Sequence, residues 1–207
     1  MSFIDSSYFI GEINIPNVTA SAVVTGLTQA ITQYEKEILI MLLGYELYAL
    51  LIDDLDGSGD PQTAIYTDLV GGAEFTHTIN GEDITLKWEG LRNTAKQSLI
   101  AYYTYYKYVE RDITHLSGSG ISMSPEGKGW KRASSVNKMC AAWERMRDLY
   151  GKFPSQDRMY YKNPLTFDYI TDVYDYNPSA YNFLFANKDD YPTWRFTPQW
   201  NINAFGI

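Results

Sequence analysis

The sequence predicts a mainly α-helical fold, a helical bundle with an inserted β-hairpin and a long irregular aromatic-rich C-terminal arm. Three observations carry this prediction. Apolar residues recur at three- and four-residue steps over three long segments. An Asn-Gly pair separates two runs of β-forming residues, which is typical of a two-residue hairpin turn. The last 55 residues hold 15 of the 32 aromatic residues and 5 of the 8 prolines, with no lasting period.

The first helix is expected to run from Thr19 or Ser21, either of which can cap it, to Gly44, which favours a helix end. Its apolar stripe consists of Val23, Leu27, Ala30, Ile31, Tyr34, Ile38 and Leu42. A second short helix is predicted over residues 46–55. Its inner side would carry Leu47, Leu50 and Leu51.

An acidic, glycine-broken loop follows over residues 53–61, and Pro61 suits the first turn of another helix. Asp54, Asp56 and Ser58 are spaced like the first ligands of a calcium-binding EF-hand loop. Position 12 of that loop would be Ile65 instead of a bidentate Glu. A solvated acidic turn is therefore the preferred interpretation, and cation binding is left open.

The hairpin is expected within residues 75–88, around the Asn80-Gly81 turn. The clearest helix is predicted over residues 91–113. Its core stripe is Leu91, Ala95, Leu99, Tyr102, Tyr106, Val109 and Ile113. Tyr103 and Tyr108 project on opposite flanks of this stripe, so we expect another surface to cover them.

A flexible polar loop is predicted from Ser117 through Gly129, followed by a helix over residues 133–150 that Gly151 ends. The core stripe of this helix is Val136, Met139, Cys140, Trp143, Met146 and Tyr150. A small basic cluster beside Trp130 could contact a phosphate backbone or an acidic neighbouring chain, or could be a solvated helix start. It consists of Lys128, Lys131 and Arg132.

Residues 153–207 differ from residues 1–152, because they are rich in aromatic side chains and lack regular period except for a short helix predicted over 178–187, capped by Asn177. Such a segment is best stabilised by lying along another surface, since aromatic residues dominate binding hot spots. The proposed anchors are Tyr160, Tyr161, Phe167, Trp194, Phe196 and Trp200. The alternative is that they fold back on the chain's own helices.

Composition excludes several classes of protein. One cysteine excludes an internal disulfide framework and a Cys-rich zinc site, and two histidines leave little for metal chemistry. We therefore expect no cofactor, no metal and no catalytic residue. The amino terminus lacks a signal-peptide pattern and no apolar run approaches the ~20 residues of a membrane span. The net charge of -8 argues against gripping a nucleic-acid backbone.

Three classes of function remain open. An assembly protein would place the helical domain in an oligomer and lay its aromatic arm across a neighbour. A carbohydrate-binding or adhesion module would use exposed Tyr and Trp as stacking platforms, although such modules usually have a β-scaffold. An acidic hydrolase would explain the carboxylates alone. The assembly protein accounts for most of these sequence features.

Four strings resemble the head-to-tail connector proteins of tailed bacteriophages, most closely the adaptor or ring proteins of crAss-like and related phages. The strings are residues 34–37 (YEKE), 42–48 (LLGYELY), 87–91 (KWEGL) and 96–103 (KQSLIAYY). The similar stretch extends from Tyr8 to Tyr150. These are packing motifs, and no catalytic residue is carried over.

The resemblance implies a structural virion protein that forms an oligomeric ring, commonly of twelve copies, in the phage neck. Residues 1–152 would be the helical connector domain and residues 153–207 the extended C-terminal arm. The ring would join the portal protein to adjacent neck or tail rings and continue the channel through which DNA passes during ejection. Assembly would occur in the cytoplasm of the host bacterium, without a membrane.

Overall fold

A computed structural model of the 207-residue chain describes residues 2–15, 21–79, 82–117, 120–123, 135–151 and 178–199. In chain order the elements are two 3-10 helices (Ser6–Tyr8 and Gly11–Ile13), α1 (Ser21–Leu43), α2 (Tyr45–Asp53), α3 (Ala64–Gly71), β1 (Ala73–Ile79), β2 (Glu82–Trp88), α4 (Leu99–Ile113), β3 (Thr114–Ser117), β4 (Gly120–Met123), α5 (Ser135–Tyr150) and α6 (Ala180–Ala186). The predicted mainly α-helical class with an inserted hairpin is confirmed. None of the helices within these residues combines the length and apolar character that crossing a membrane requires.

The centre of the fold is a bundle of α1, α4 and α5. The predicted apolar stripe of α1 is confirmed, because its side chains from Leu27 to Leu42 are buried. Helices α4 and α5 run antiparallel. The rings of Tyr106 and Trp143 lie 4.8 Å apart at mid-helix, and Arg145 donates from Nη2 to Gln97 Oε1 (3.0 Å) near the start of α4.

Helices α1 and α5 end at the same end of the bundle. Tyr150, the last residue of α5, donates its hydroxyl hydrogen to the carbonyl of Thr197 (2.6 Å). The amide of Thr197 in turn donates to the carbonyl of Met41 near the end of α1 (2.8 Å). Since α4 is antiparallel to α5, α4 begins at this end, which we call the base, and the β3–β4 hairpin lies at the opposite end.

Helix α4 begins at Leu99, eight residues later than the sequence predicts. The residues before it form a turn, in which Lys96 has a positive φ of 58°. Ser98 fixes the helix start because its hydroxyl donates to the Leu91 carbonyl (2.5 Å) and accepts from the Ile100 amide (3.2 Å). A serine that bonds an early helical amide is a helix cap, and this local competition overrides the apolar period.

The predicted hairpin is confirmed as β1 and β2, which pair antiparallel from Ala73 opposite Trp88 to Ile79 opposite Glu82. Two residues separate the last pair, as an Asn-Gly turn requires. Trp88 is buried and its indole N–H donates to the carbonyl of Leu69 (2.9 Å). The hairpin is thereby attached to α3 at the base.

Two expectations for loops are wrong. Residues 114–117 and 120–123 pair as a second antiparallel ladder, with Ser117 opposite Gly120, where a flexible loop was expected from Ser117. The alternation of polar and apolar residues over 114–117 and 120–123 is itself a strand pattern. Helix α3 begins at Ala64 after an extended Thr63, so Pro61 precedes the helix instead of starting it.

The described part of the C-terminal segment, residues 178–199, packs on the bundle instead of extending away as an arm. The predicted short helix is confirmed as α6, although Ser179 and not Asn177 caps it, accepting from the amide of Asn182 (3.2 Å). Phe183, Leu184 and Tyr191 are buried in the same core as α1 and α4. A boundary after residue 152 therefore does not separate these residues from the helical domain.

Candidate interface

The structure places Tyr103 in the core. It is only 2% exposed, its ring lies edge-on to that of Tyr34 at 6.3 Å, and it lies 6.3 Å from the ring of Trp143. Its hydroxyl donates to Glu37 Oε1 (2.5 Å), and burial raises the pKa of this phenol. The surface expected to cover Tyr103 is thus supplied by α1 and α5 of the same chain, so this residue is unavailable to a partner.

Tyr108 lies at the edge of the core and is half-buried. The guanidinium of Arg111 covers its ring at 5.2 Å from the ring centroid. This distance falls in the range of cation–π attraction. Of the two flanking tyrosines, only Tyr108 keeps a face toward solvent.

The segment that contains Trp194 and Phe196 contacts the end of α1. The last carbonyls of a helix have no partner within the helix and must be satisfied elsewhere. The Trp194 indole N–H donates to the carbonyl of Leu42 (2.8 Å), and the Arg195 amide donates to the carbonyl of Leu43 (3.0 Å). With the Thr197 amide already described, the C-terminal segment satisfies three helix-end carbonyls. Trp194 and Phe196 therefore serve the chain's own fold.

An aromatic cluster joins α5, α6 and this segment. The ring of Phe196 lies 4.7 Å from that of Tyr181 and 5.0 Å from that of Tyr150. Gly151 allows the end of α5 to lie close to α6, because a Cβ at this position would lie 2.2 Å from Cβ of Tyr181. Burial raises the pKa of Tyr150, whose hydroxyl stays protonated as a donor. The sequence indicated the aromatic character of this region but not its partners.

Seven residues predicted as contacts lie outside the described residues, and their placement stays a prediction. Four are aromatic anchors and three form the basic cluster. They are Tyr160, Tyr161, Phe167, Trp200, Lys128, Lys131 and Arg132.

Helix α2 exposes an apolar face that the sequence analysis missed. Every residue of α2 except Glu46 and Asp53 is apolar or aromatic. Leu47 and Leu51 are buried, and the opposite side carries two exposed apolar side chains one above the other, which we call the α2 face. They are Tyr45, 72% exposed, and Ile52, 36% exposed. Leu50, 45% exposed, lies on another side of the helix, about 140° around the axis from Tyr45.

Leu50 was expected on the inner side of α2, and this expectation is wrong. Leu47 and Leu51 are one turn apart and both face the core, whereas Leu50 lies at the edge of that side and stays 45% exposed. The signal was present in the sequence, because a helix that is apolar on all sides is normally covered on all sides. A second surface is therefore needed to cover the α2 face.

The acidic loop after α2 is held by its own hydrogen bonds. Asp56 accepts from the amides of Asp60 (2.9 Å) and Ser58 (2.8 Å), and Asp54 accepts from the hydroxyl of Thr63 and from its amide (2.9 Å). These bonds lower the pKa of both carboxyl groups, which keeps them charged. Within the described part of the chain no group of three His, Cys, Asp or Glu residues could hold a metal ion.

A cleft of about 360 Å³ opens between the N-terminal 3-10 helices and the turn before α4. Lys96 lines it, with Nζ 4.5 Å from the centroid of the Tyr8 ring. Glu12 also lines it and accepts from the hydroxyl of Tyr102 (3.0 Å). The charged groups of Lys96 and Glu12 both contact tyrosines of the chain. These two contacts hold the N-terminal segment against α4 and the turn before it.

Comparisons with known proteins give one match. A model of a family of unknown function, DUF6712, matches residues 39–123 and 149–204, which include α2, both hairpins, α4 and α6. No curated protein and no solved structure matches the chain. Because the matched residues make up more than half of the sequence, the chain belongs to the DUF6712 family of unknown function.

Proposed function

We propose that this protein is a structural subunit of an oligomeric ring in the neck of a tailed bacteriophage. The ring joins the portal to the tail and continues the DNA channel in the virion. The resemblance of residues 8–150 to phage connector proteins suggests this role. The structural observation that carries it is the α2 face, an apolar surface on a helix with only one side covered.

The α2 face favours an assembly protein over a carbohydrate-binding module. Fully burying a side chain such as Leu or Ile contributes roughly 1.5–3 kcal/mol relative to leaving it in water. Tyr45 and Ile52 lie one above the other on one side of α2, so burying both against a partner is favourable. By contrast, the indole groups of Trp88 and Trp194 are bonded to the chain's own carbonyls, which leaves them poorly placed to stack on a sugar.

The distribution of charge agrees with a conduit for DNA. The chain carries a net charge of -8, so a ring of about twelve copies, the number that the resemblance implies, would be strongly acidic. Such a ring repels phosphate groups instead of holding them, which lets a nucleic acid pass. Subunits with this charge need specific contacts to offset their mutual repulsion, and the α2 face can supply one.

The test is electron microscopy of phage particles assembled without this protein. We expect DNA-filled or leaking heads that lack tails, and restoration of tails when the wild-type protein is supplied in trans. Normal tailed particles in its absence would refute the connector role.

A matched pair of variants separates the α2 face from a general defect. Tyr45→Lys should fail to restore tails, because it places a charge in the apolar face. Thr32→Lys should restore them, since Thr32 is an exposed residue of α1 and not part of the α2 face. Equal restoration by both variants would remove the α2 face from the argument.

A further inference from the structure

Strand β2 has an open outer edge. Within the described residues the sheet of β1 and β2 contains two strands, so each strand leaves one edge without a neighbouring strand. Helix α6 packs against β1, where the ring of Phe183 lies 5.6 Å from that of Phe75. Among the described elements, β1 alone packs along the length of β2. An open edge of this kind is a template for pairing with a strand of another chain.

Three residues supply the backbone groups of this edge. Opposite residues of an antiparallel pair alternate between exchanging both backbone hydrogen bonds and exchanging none. The pair next to a two-residue turn exchanges them, here Ile79 and Glu82. The backbone groups of Asp83, Thr85 and Lys87 therefore point away from β1. No backbone hydrogen bond within the described part of the chain reaches them.

The side chains of β2 divide between two faces of the sheet. Asp83, Thr85 and Lys87 are exposed on one face, and Ile84 and Leu86 are half-buried on the other. A strand added at this edge must therefore place opposite charges beside both Asp83 and Lys87, and apolar side chains beside Ile84 and Leu86.

The contacts that the two charged residues make within the chain leave them available to a partner. Lys87 Nζ lies 3.4 Å from Glu89 Oε1, but the two side chains are 63% and 53% exposed. An exposed ion pair of this kind contributes little to stability. Asp83 accepts from the hydroxyl of Thr78 (2.7 Å), which engages one of its two carboxylate oxygens.

Strand β2 is complementary to a second copy of itself. When two copies run antiparallel about a two-fold axis at Thr85, Asp83 of each copy lies opposite Lys87 of the other, and Ile84 lies opposite Leu86. Opposite charges and paired threonines both stabilise antiparallel strands. In this register the outward groups of all three edge residues face one another, so each pair can exchange two backbone hydrogen bonds.

Strand β1 fits this role less well. In the same two-fold arrangement about Thr76, Glu74 would lie opposite Thr78, so no pair of opposite charges would form. Pairing β2 with β1 of another copy would place Lys87 opposite Glu74, but it would leave Asp83 opposite a threonine and bring the new strand beside α6. The charge pattern and the position of α6 therefore favour pairing between two β2 strands.

We propose that β2 is a dimerisation edge, at which two copies of this chain pair antiparallel about Thr85 and form one four-stranded sheet. A two-stranded sheet is marginal by itself, and further strands stabilise it. The contact is isologous and closes at two copies, so it is distinct from a contact that repeats around a ring. The inference goes beyond the proposed function, because it concerns pairs of subunits with or without a ring.

Disulfide trapping in a Cys140→Ser background tests the register. Thr85→Cys chains alone should form a covalent dimer on oxidation, since opposite Cα atoms of a hydrogen-bonded pair lie about 5.5 Å apart, within disulfide range. Thr76→Cys is the matched control, because Thr76 is exposed on the same face of the hairpin, directly opposite Thr85. It should give about tenfold less dimer, because its strand has no partner at the distance that a disulfide requires.

Two outcomes of the trapping experiment would overturn the proposal. Equal yields from the two variants would mean that the disulfide reports exposure alone. A dimer that forms only when Thr85→Cys and Thr76→Cys are mixed would mean that β2 pairs with β1 of the other copy.

Charge exchange provides the second measurement. Asp83→Lys and Lys87→Asp each place like charges opposite one another in a dimer, so each variant alone should dimerise on the order of tenfold more weakly than wild type in sedimentation equilibrium. An equal mixture of the two variants restores opposite charges at both ends and should dimerise as tightly as wild type. A mixture no tighter than either variant, or a wild-type protein that stays monomeric, would refute β2 pairing. Either result leaves the connector role, which is tested on phage particles, unaffected.

Discussion

Replacing Glu35 by glutamine should change how the stability of this protein depends on pH. Glu35 lies on α1, is 5% exposed, and accepts hydrogen bonds from the Ser2 hydroxyl (2.7 Å) and the Phe3 amide (3.0 Å). It thereby holds the N-terminal segment on the bundle. Burial raises the pKa of Glu35 from 4.5 to about 7, although the bonds from Ser2 and Phe3 oppose this rise.

The sign of the effect follows from proton linkage. The folded protein binds a proton at Glu35 below pH of about 7, whereas the unfolded chain binds it only below 4.5. This contribution to stability is fully present below pH 4.5 and is lost as the pH rises through about 7. Each pKa unit corresponds to about 1.4 kcal/mol, so the difference is on the order of 3 kcal/mol.

Urea denaturation at pH 5 and pH 8 measures this difference. The wild-type protein should be less stable at pH 8, and Glu35→Gln should remove most of the dependence, since glutamine stays neutral. The lowered pKa values of Asp54 and Asp56 act only at more acidic pH. Glu144→Gln, an exposed change on α5, is the control and should leave the wild-type slope. The same slope in wild type and Glu35→Gln would refute the reasoning.

Three further substitutions have defined outcomes. Gly44→Ala should lower the free energy of unfolding by on the order of 2 kcal/mol, because Gly44 has a φ of 79° and an added Cβ would lie 2.8 Å from Cβ of Arg195. Tyr150→Phe should lower the free energy of unfolding in chemical denaturation by about 1–3 kcal/mol, since it removes the short bond to the carbonyl of Thr197, which keeps the longer bond from Gln199 Nε2 (3.4 Å). Leu50→Lys should change the free energy of unfolding by less than about 0.5 kcal/mol and weaken self-association in sedimentation velocity.

A specific result would contradict each of these predictions. Gly26 in α1 has open space around it, so Gly26→Ala is the control for Gly44→Ala and should be neutral or stabilising. Equal destabilisation at both glycines would remove the role assigned to the contact with Arg195. Unaltered stability of Tyr150→Phe would mean that the hydroxyl makes no net contribution. A Leu50→Lys protein that unfolds early would show that Leu50 supports the fold and not an assembly.

Local patterns predicted the elements that local physics controls. The stripe of α1 and the Asn-Gly hairpin follow from side-chain period and turn geometry, which depend on neighbouring residues in the chain. The start of α4 was missed because the hydroxyl of Ser98 binds the backbone on both sides of it. The apolar residues from Leu91 onward continue the helical spacing, so the spacing alone does not show that Ser98 caps the helix.

The amino-acid sequence by itself determined that this chain forms amphipathic helices, one hairpin and an aromatic-rich C-terminal segment. Only the tertiary structure decided which surfaces cover one another. It buried Tyr103, placed Trp194 on the last carbonyls of α1, and left Leu50 exposed. The reason is physical. The spacing of apolar residues shows which side of a segment is apolar, whereas the burial of that side depends on which distant part of the chain packs against it.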